Sequence, residues 1–348
     1  MKKISVLIVD DSPVERELLT YMAQSDPEIQ VIGFASNGQE ALDLLQKLTP
    51  DVIIMDINMP VMDGFEATRR IMSSRPIPII ICSGLYKSGD DYKNFQALDA
   101  GALTILEKPK GVTSPQFPAI VKNFTETIKT VSEIKLITRL FSQALPKQQT
   151  TFKYIKKLNS RIEAIAIGAS LGGPQALQTI LSQLPSSITV PIFIVQHIAE
   201  EFTPGLISWL QDSTKIPLMI AKDRDIAKPG NIYFAPGNQH LEVHKNNTMR
   251  LFNSTNDRDI CPSISRLFFS MATTYGSKGL GVILTGMGRD GVDGLLAMKN
   301  TGATTVAQSE DNCVMFGMPR EAINLDAVTD IIQLKDISTF LSQAMQIK

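Results

Sequence analysis

The stretch Ile165-Ala166-Ile167-Gly168-Ala169-Ser170-Leu171-Gly172-Gly173-Pro174 decides how the second half of the chain is read. The apolar run from Arg161 to Ile167 predicts a buried strand, and glycines stop it abruptly. Gln175 to Leu184 then carries Ala and Leu at helical spacing, with Pro174 suited to a first helical turn. Ser170 is therefore expected on a tight strand-to-helix turn within a Gly-x-Ser-x-Gly pattern. Such a turn lifts the hydroxyl above the sheet edge and points amides of the next helix at whatever binds there. A serine so placed can attack a carbonyl carbon while nearby amides stabilise the oxyanion. A glycine-rich turn that binds phosphate, or only packs, shares this local pattern, so the rest of the chain has to decide.

The chain has 348 residues, enough for about two domains of ordinary size. Its composition, 43% hydrophobic and 20% charged, allows buried cores under a soluble surface. A formal net charge of -1 offers no electrostatic basis for binding nucleic acid or an anionic membrane. No apolar run reaches the length of a membrane span, so no direct membrane insertion is expected. Met1-Lys2-Lys3-Ile4-Ser5-Val6 runs straight into a strand-like segment and does not read as a signal peptide. Cys82, Cys261 and Cys313 lack disulfide or metal spacing. A cytoplasmic location is the expectation.

Val6 to Val9 is a continuous apolar run suited to a central parallel strand, and it ends in Asp10-Asp11-Ser12. A helix is expected from about Pro13 to Ala23, a strand from Gln30 to Ala35 and a helix from Gly38 to Leu48. Val52 to Met55 is the third strand, ending in Asp56 and followed by Asn58-Met59-Pro60 and Met62-Asp63-Gly64. Ile77 to Cys82 ends in Ser83, and Ala102 to Leu106 ends near Lys108-Pro109. This alternation implies a doubly wound parallel sheet whose functional residues gather beyond the strands' carboxyl ends. Converging Asp10, Asp11 and Asp56 would repel one another without a hard cation, and such oxygen ligands suit Mg²⁺. With Ser83 and Lys108 beside them, the implied chemistry is phosphoryl transfer onto Asp56.

Residues 110–118 read as a loop, Ala119 to Leu140 as a helix, and 146–160 as a polar, basic connector. The expected organisation is a first domain over 1–125, a linker over 126–160 and a second domain over 161–348. In the second domain Val190 to Gln196 predicts a strand ending in His197. Asn231 to Asn238 and Leu241 to Val243 suggest a hairpin. Leu280 to Thr285 is a strong buried strand leading into Gly286-Met287-Gly288-Arg289-Asp290-Gly291, followed by a helix from Val292 to Asn300 and a strand from Ala303 to Gln308. The fold class is thus α/β, with two doubly wound parallel-sheet domains, the second a three-layer α/β/α unit. Ser170, His197 and Asp290 all fall just past strand ends, on the one sheet edge where they could meet. These are the residue types of acyl-group hydrolysis, in which histidine takes the serine proton and a carboxylate fixes the imidazole. Of the three histidines, His240 and His244 lie in or beside the expected hairpin, so His197 is the better base. Asp290 could instead cap the helix that follows it.

Residues 1 to 125, with Val9-Asp10-Asp11-Ser12, Asp56 to Gly64, Ser83 and Lys108-Pro109, resemble the response-regulator receiver domain. The resemblance implies that Asp56 accepts phosphate from the histidine kinase of a chemosensory system. It further implies that Asp10, Asp11, Asp56 and the Asn58 backbone carbonyl hold Mg²⁺, and that Ser83 and Lys108 sense the phosphate. Ile105 stands where such domains often carry an aromatic switch residue. Residues 160 to 345 resemble the catalytic domain of the chemotaxis receptor methylesterase (CheB) family. The motifs are Gly168 to Gly173, Gln196-His197, Tyr233 to Leu241, Leu284 to Gly291 and Gly317-Met318-Pro319-Arg320. The order Ser, His, Asp separates this unit from the ordinary α/β-hydrolases. The family implies hydrolysis of glutamate γ-methyl esters on chemoreceptor cytoplasmic helices, and often deamidation of receptor glutamines. It makes Ser170 the nucleophile, His197 the base and Asp290 its orienting partner, with no cofactor for the ester chemistry. Backbone N–H groups near Leu171 and Met287 become the oxyanion candidates. It also implies that phosphorylation relieves an inhibition of the catalytic face by the receiver. Leu171 replaces a usual threonine, Cys261 a usual arginine, Ser265 a usual aspartate, and Ile198-Ala199 a usual Met-Pro. A non-enzymatic module, in which phosphate controls partner docking, remains the alternative. A transcription factor is disfavoured, since the output half is too long, neutral and α/β to be a small basic DNA-binding domain.

Overall fold

The computed structural model describes residues 3–84, 91–109, 111–112, 117–134, 160–254 and 260–346. The chain divides into two compact units, Met1–Gln148 and Gln149–Lys348. Of the polar connector expected over 146–160, all but residue 160 lies outside the described residues.

The first unit runs β1 (Ile4–Val9), α1 (Pro13–Gln24), β2 (Ile29–Ala35), α2 (Gly38–Leu44), β3 (Val52–Met55), α3 (Gly64–Ser74), β4 (Ile79–Ser83), α4 (Asp91–Asp99), β5 (Thr104–Glu107) and α5 (Phe117–Ser132). Its five strands are all parallel, in the order β2-β1-β3-β4-β5. Val6 to Val9 and Val52 to Met55 are entirely buried, as strands covered on both faces must be. The helices start where side chains supply caps: Ser12, Asn37 and Asp63 accept the N–H groups of Glu15, Glu40 and Glu66. Helix α5 continues past residue 125, the boundary expected for the first domain.

The second unit runs β6 (Ala164–Ala169), α6 (Gly173–Leu181), β7 (Ile192–Gln196), α7 (Thr203–Gln211), β8 (Leu218–Ile220), β9 (Ile232–Phe234), β10 (Gln239–His244), β11 (Thr248–Asn253), α8 (Ile264–Tyr275), β12 (Gly279–Ile283), α9 (Val292–Asn300), β13 (Thr304–Gln308), α10 (Met318–Asn324), β14 (Asp330–Ile332) and α11 (Leu334–Gln346). Seven strands form a parallel sheet in the order β14-β13-β12-β6-β7-β9-β8. Helices α8, α9 and α10 pack together on one side, and α6, α7 and α11 on the other. Every residue of β6, β7 and β12 is buried. Each fully buried Val, Leu or Ile contributes about 1.5–3 kcal/mol, so these strands anchor the sheet.

The hairpin expected from Asn231 to Val243 does not form. Ile232–Phe234 instead joins the parallel sheet between β7 and β8. The antiparallel pair is β10 with β11, turned through Asn246 and Asn247 at φ 60 and 59. Asparagine tolerates this left-handed conformation, and two in succession favour the turn.

Candidate active site

In an open parallel sheet, ligands bind where strand order reverses, because neighbouring connections there leave the sheet in opposite directions. The reversal in the second unit falls between β6 and β12. Ser170 follows β6, the segment Gly286 to Asp290 follows β12, and His197 follows the adjacent β7.

The serine turn is fixed by its backbone. Ser170 N–H donates to the Thr285 carbonyl at 3.1 Å, and the Ser170 carbonyl accepts Gly173 N–H at 2.8 Å. Gly172 caps α6 with φ 75, a left-handed conformation that costs glycine nothing. Gly168 serves a different purpose, since a Cβ there would stand 2.2 Å from Ile264 Cγ2. Its absence lets the first residue of α8 descend onto the end of β6.

That descent determines what Asp290 does. Its Oδ2 accepts Ile264 N–H at 2.6 Å and its Oδ1 accepts Ser265 N–H at 3.0 Å. Oδ1 also accepts the Ser263 hydroxyl at 2.9 Å and Gly291 N–H at 2.9 Å. Asp290 therefore sits on the N-terminus of α8, and its alternative role as a cap on the following helix is not found: α9 is capped by Gly291, with no side-chain cap bond among the described residues. His197 Nε2 completes the set, 2.9 Å from Asp290 Oδ2. Burial opposes ionisation of Asp290, but hydrogen bonds from His197 and Ser265 outweigh it and hold the carboxyl well below the usual range.

The Ser170 hydroxyl makes no hydrogen bond among the described residues. The backbones on either side of it are joined, His197 N–H donating to the carbonyl of Ala169, the residue before the serine, at 3.0 Å. Gly286 approaches the serine closely, for a Cβ built on it would stand 2.7 Å from Ser170 Cβ. Thr285, which is buried, ties the two segments together. Its hydroxyl donates to the Leu171 carbonyl at 2.9 Å and accepts Met315 N–H at 2.9 Å.

Several of these contributors had no role assigned from sequence. Ser265, standing where the CheB resemblance expects aspartate, binds Asp290 through its N–H and accepts Gly291 N–H on its hydroxyl at 2.7 Å. His240 is buried, accepts Ser263 N–H on Nδ1 at 3.2 Å and packs on Phe252, so it supports the Asp290 cradle. Exposed His244 lies 3.3 Å from Glu242. Cys313 is no rival nucleophile, since burial and nearby Glu310 push its thiol up to about 12.

The first unit has its own site at its own reversal, between β1 and β3. Lys108 Nζ lies 2.6 Å from Asp10 Oδ2 and 3.0 Å from Asp56 Oδ1. All three residues are buried, whereas Asp11 is exposed. Asp56 Oδ2 accepts Asn58 N–H at 3.1 Å, and Asp10 Oδ1 accepts Ser12 N–H at 2.9 Å. Ser83 is buried at the neighbouring strand end, its carbonyl accepting Lys108 N–H at 3.0 Å. Burial raises Asp56, Lys108 counters this, and Asp10 adds to the rise. Burial disfavours charge on Lys108, but Asp56 and Asp10 outweigh it and keep the ammonium protonated. Glu15 was not anticipated: it is raised by burial and by Asp10 and Asp56, with Lys108 opposing, which places it at the edge of this field. Among the described residues no three acidic, His or Cys side chains stand close enough to ligate one ion. Two buried carboxylates nevertheless converge on one ammonium, and hard oxygen donors of this kind fit Mg²⁺.

A buried parallel α/β unit with Ser, His and Asp at its switch point defines a hydrolase-like domain, and the aspartate–lysine cluster defines a phosphoacceptor-like one. Comparison with known proteins gives a family for each unit. The family described as CheB methylesterase matches residues 165–341, and the response regulator receiver domain matches 6–114. A protein-glutamate methylesterase/protein-glutamine glutaminase of Syntrophus aciditrophicus is 42% identical over 97% of each chain. One from Methanospirillum hungatei is 40% identical, again over 97% of each. The crystal structure of the Thermotoga maritima CheB methylesterase catalytic domain is 33% identical, with a TM-score of 0.51, over 53% of this chain and 99% of that one. The chain belongs to the CheB methylesterase family, with a response regulator receiver domain ahead of the catalytic unit. Among the described residues no helix is long and apolar enough to cross a membrane.

Proposed function

We propose that this chain hydrolyses glutamate γ-methyl esters on chemoreceptor cytoplasmic helices, at a rate raised when a chemosensory histidine kinase phosphorylates Asp56. The observation that carries the chemistry is the 2.9 Å contact of His197 Nε2 with an Asp290 carboxylate held in its anionic form, next to the Ser170 turn.

An anionic Asp290 only accepts hydrogen bonds, so the proton on His197 sits on Nε2 and the Nδ1 lone pair is left for serine. In this reading Ser170 Oγ attacks the ester carbonyl carbon as His197 takes its proton. The Leu171 and Met287 amides stabilise the oxyanion. Collapse breaks the C–O bond to the methoxy group, which leaves as methanol with the proton from His197. Water, deprotonated by His197, then attacks the acyl-serine, releasing the glutamate carboxylate and restoring the hydroxyl. The same sequence on a glutamine side chain releases ammonia, in line with the names of the relatives.

In the first unit an Asp56 oxygen attacks the phosphorus of a phosphohistidine and the P–N bond breaks. In this reading Lys108 meets the phosphoryl oxygens and Ser83 senses them. Mg²⁺, when bound by Asp10, Asp11, Asp56 and the Asn58 carbonyl, offsets the charge on those oxygens. The test is methanol release from methylated receptor preparations by wild type and Ser170→Ala, each with and without acetyl phosphate. Release by wild type that acetyl phosphate stimulates, and none by the variant, is expected. Equal release by both proteins would overturn the proposal.

A further inference from the structure

The last residue of β7 is a glutamine in an otherwise apolar strand, Ile192-Phe193-Ile194-Val195-Gln196, and it is buried. Its amide uses both protons. Nε2 donates to the Ser170 carbonyl at 2.9 Å and to the His197 carbonyl at 2.9 Å. One side chain thus clamps the residue read as nucleophile to the residue read as base. Its Oε1 is buried with no hydrogen-bond partner among the described residues, packed where a Cβ on Gly173 would stand 2.0 Å away. A buried amide with an unpartnered oxygen is a poor choice for stability. The retained feature is the pair of donors.

The peptide plane explains what those donors achieve. In a trans peptide the carbonyl oxygen and the following N–H point in opposite directions. A Ser170 carbonyl held by Gln196 Nε2 and by Gly173 N–H fixes the aim of Leu171 N–H on the other side of the same plane. No group among the described residues accepts from Leu171 N–H. The second oxyanion candidate is built alike, since the Gly286 carbonyl accepts Met318 N–H at 2.9 Å and so orients Met287 N–H. The difference is that one peptide is held partly by a side chain, which can be changed.

We infer that Gln196 is a positioning residue for the hydrolysis: its amide aims the Leu171 oxyanion donor and keeps Ser170 and His197 in register. The inference rests on the reading of Ser170 as nucleophile. It explains how Leu171 can stand in the place of a hydroxyl-bearing residue, because the function needs only its backbone amide.

The test compares the full chain as wild type, Gln196→Met, Gln196→Glu and Ser170→Ala. Methionine fills the same volume without donors, and glutamate turns a carboxylate oxygen toward two carbonyls. Methanol release from a methylated receptor cytoplasmic fragment gives kcat and KM. Labelling of Ser170 by a fluorophosphonate, in which serine oxygen displaces fluoride from phosphorus, reads oxyanion stabilisation without the receptor. Loss of one oxyanion donor costs about 10²–10³-fold in kcat, so a misaimed donor is expected to cost about 10–100-fold. Both Gln196 variants should lose that much in kcat and in labelling rate, with KM within about twofold and the melting temperature of Gln196→Met nearly unchanged. Wild-type kcat in both variants, a change confined to KM, or loss of the folded state in both would overturn the inference. Activity retained by Ser170→Ala would instead overturn the underlying reading of the nucleophile.

Discussion

Asp56 and Asp290 both lie past the carboxyl end of a central parallel strand, yet their surroundings are opposite. Asp56 shares a buried pocket with Asp10, and its oxygens meet Lys108 at 3.0 Å and Asn58 N–H at 3.1 Å. Asp290 accepts from His197, the Ser263 hydroxyl and the amides of Ile264, Ser265 and Gly291. Burial raises the first carboxyl, while hydrogen bonds overcome burial and lower the second. The difference follows the chemistry proposed for each. A carboxylate that must form a bond to phosphorus needs an oxygen not saturated with donors. One that only orients an imidazole works best when it can neither move nor take up a proton.

The largest test of this contrast is Ser170→Ala, which should lower methanol release by about 10⁴-fold or more with melting unchanged, since a triad without its nucleophile keeps only residual catalysis. Next comes Asp290→Asn. It should lower kcat by about 10³–10⁴-fold through the wrong imidazole tautomer. Asp290→Ala should also cost about 1–3 kcal/mol in denaturant unfolding by leaving the α8 amides without an acceptor. Asp56→Asn should abolish covalent phosphate, followed with radiolabelled acetyl phosphate, and remove the increment in esterase rate that this donor produces.

The finest test uses pH. Asp290, lowered by folding, adds stability that is fully present at neutral pH and is lost as the pH falls below about 4 toward its native value. Asp290→Asn should flatten that acid decline in thermal melts. Asp56, raised by folding, has the opposite sign: its charged form disfavours the folded state at neutral pH, and this is relieved as the pH falls. Asp56→Asn should accordingly raise the pH 7 melting temperature. A lower melting temperature would mean that Lys108 depends on Asp56 more than burial penalises it.

Much of this was legible because long buried strands announce themselves. Val52 to Met55 and Leu280 to Ile283 are uninterrupted apolar runs, and the acidic residue or glycine after each marks where the sheet ends. Ile232–Phe234 was misread because local turn signals do not reveal whether a short strand pairs with its neighbour in sequence or with distant β7. The four-residue turn at Lys245-Asn246-Asn247-Thr248 held the better signal. Candidate site residues at strand ends could be found one by one. Their supports could not, since Asp290 is held by Ser263, Ile264 and Ser265 from a helix 25 to 27 positions away in sequence. Gln196 did leave a trace, as the one polar residue of an otherwise apolar, buried strand.

The seat of Asp290 on α8 links hydrolytic power to the completion of folding. A chain whose α8 has not yet docked gives that carboxylate no amides, and the imidazole no anchored counter-charge. On the proposed mechanism, a copy with α8 undocked would therefore lack an oriented base.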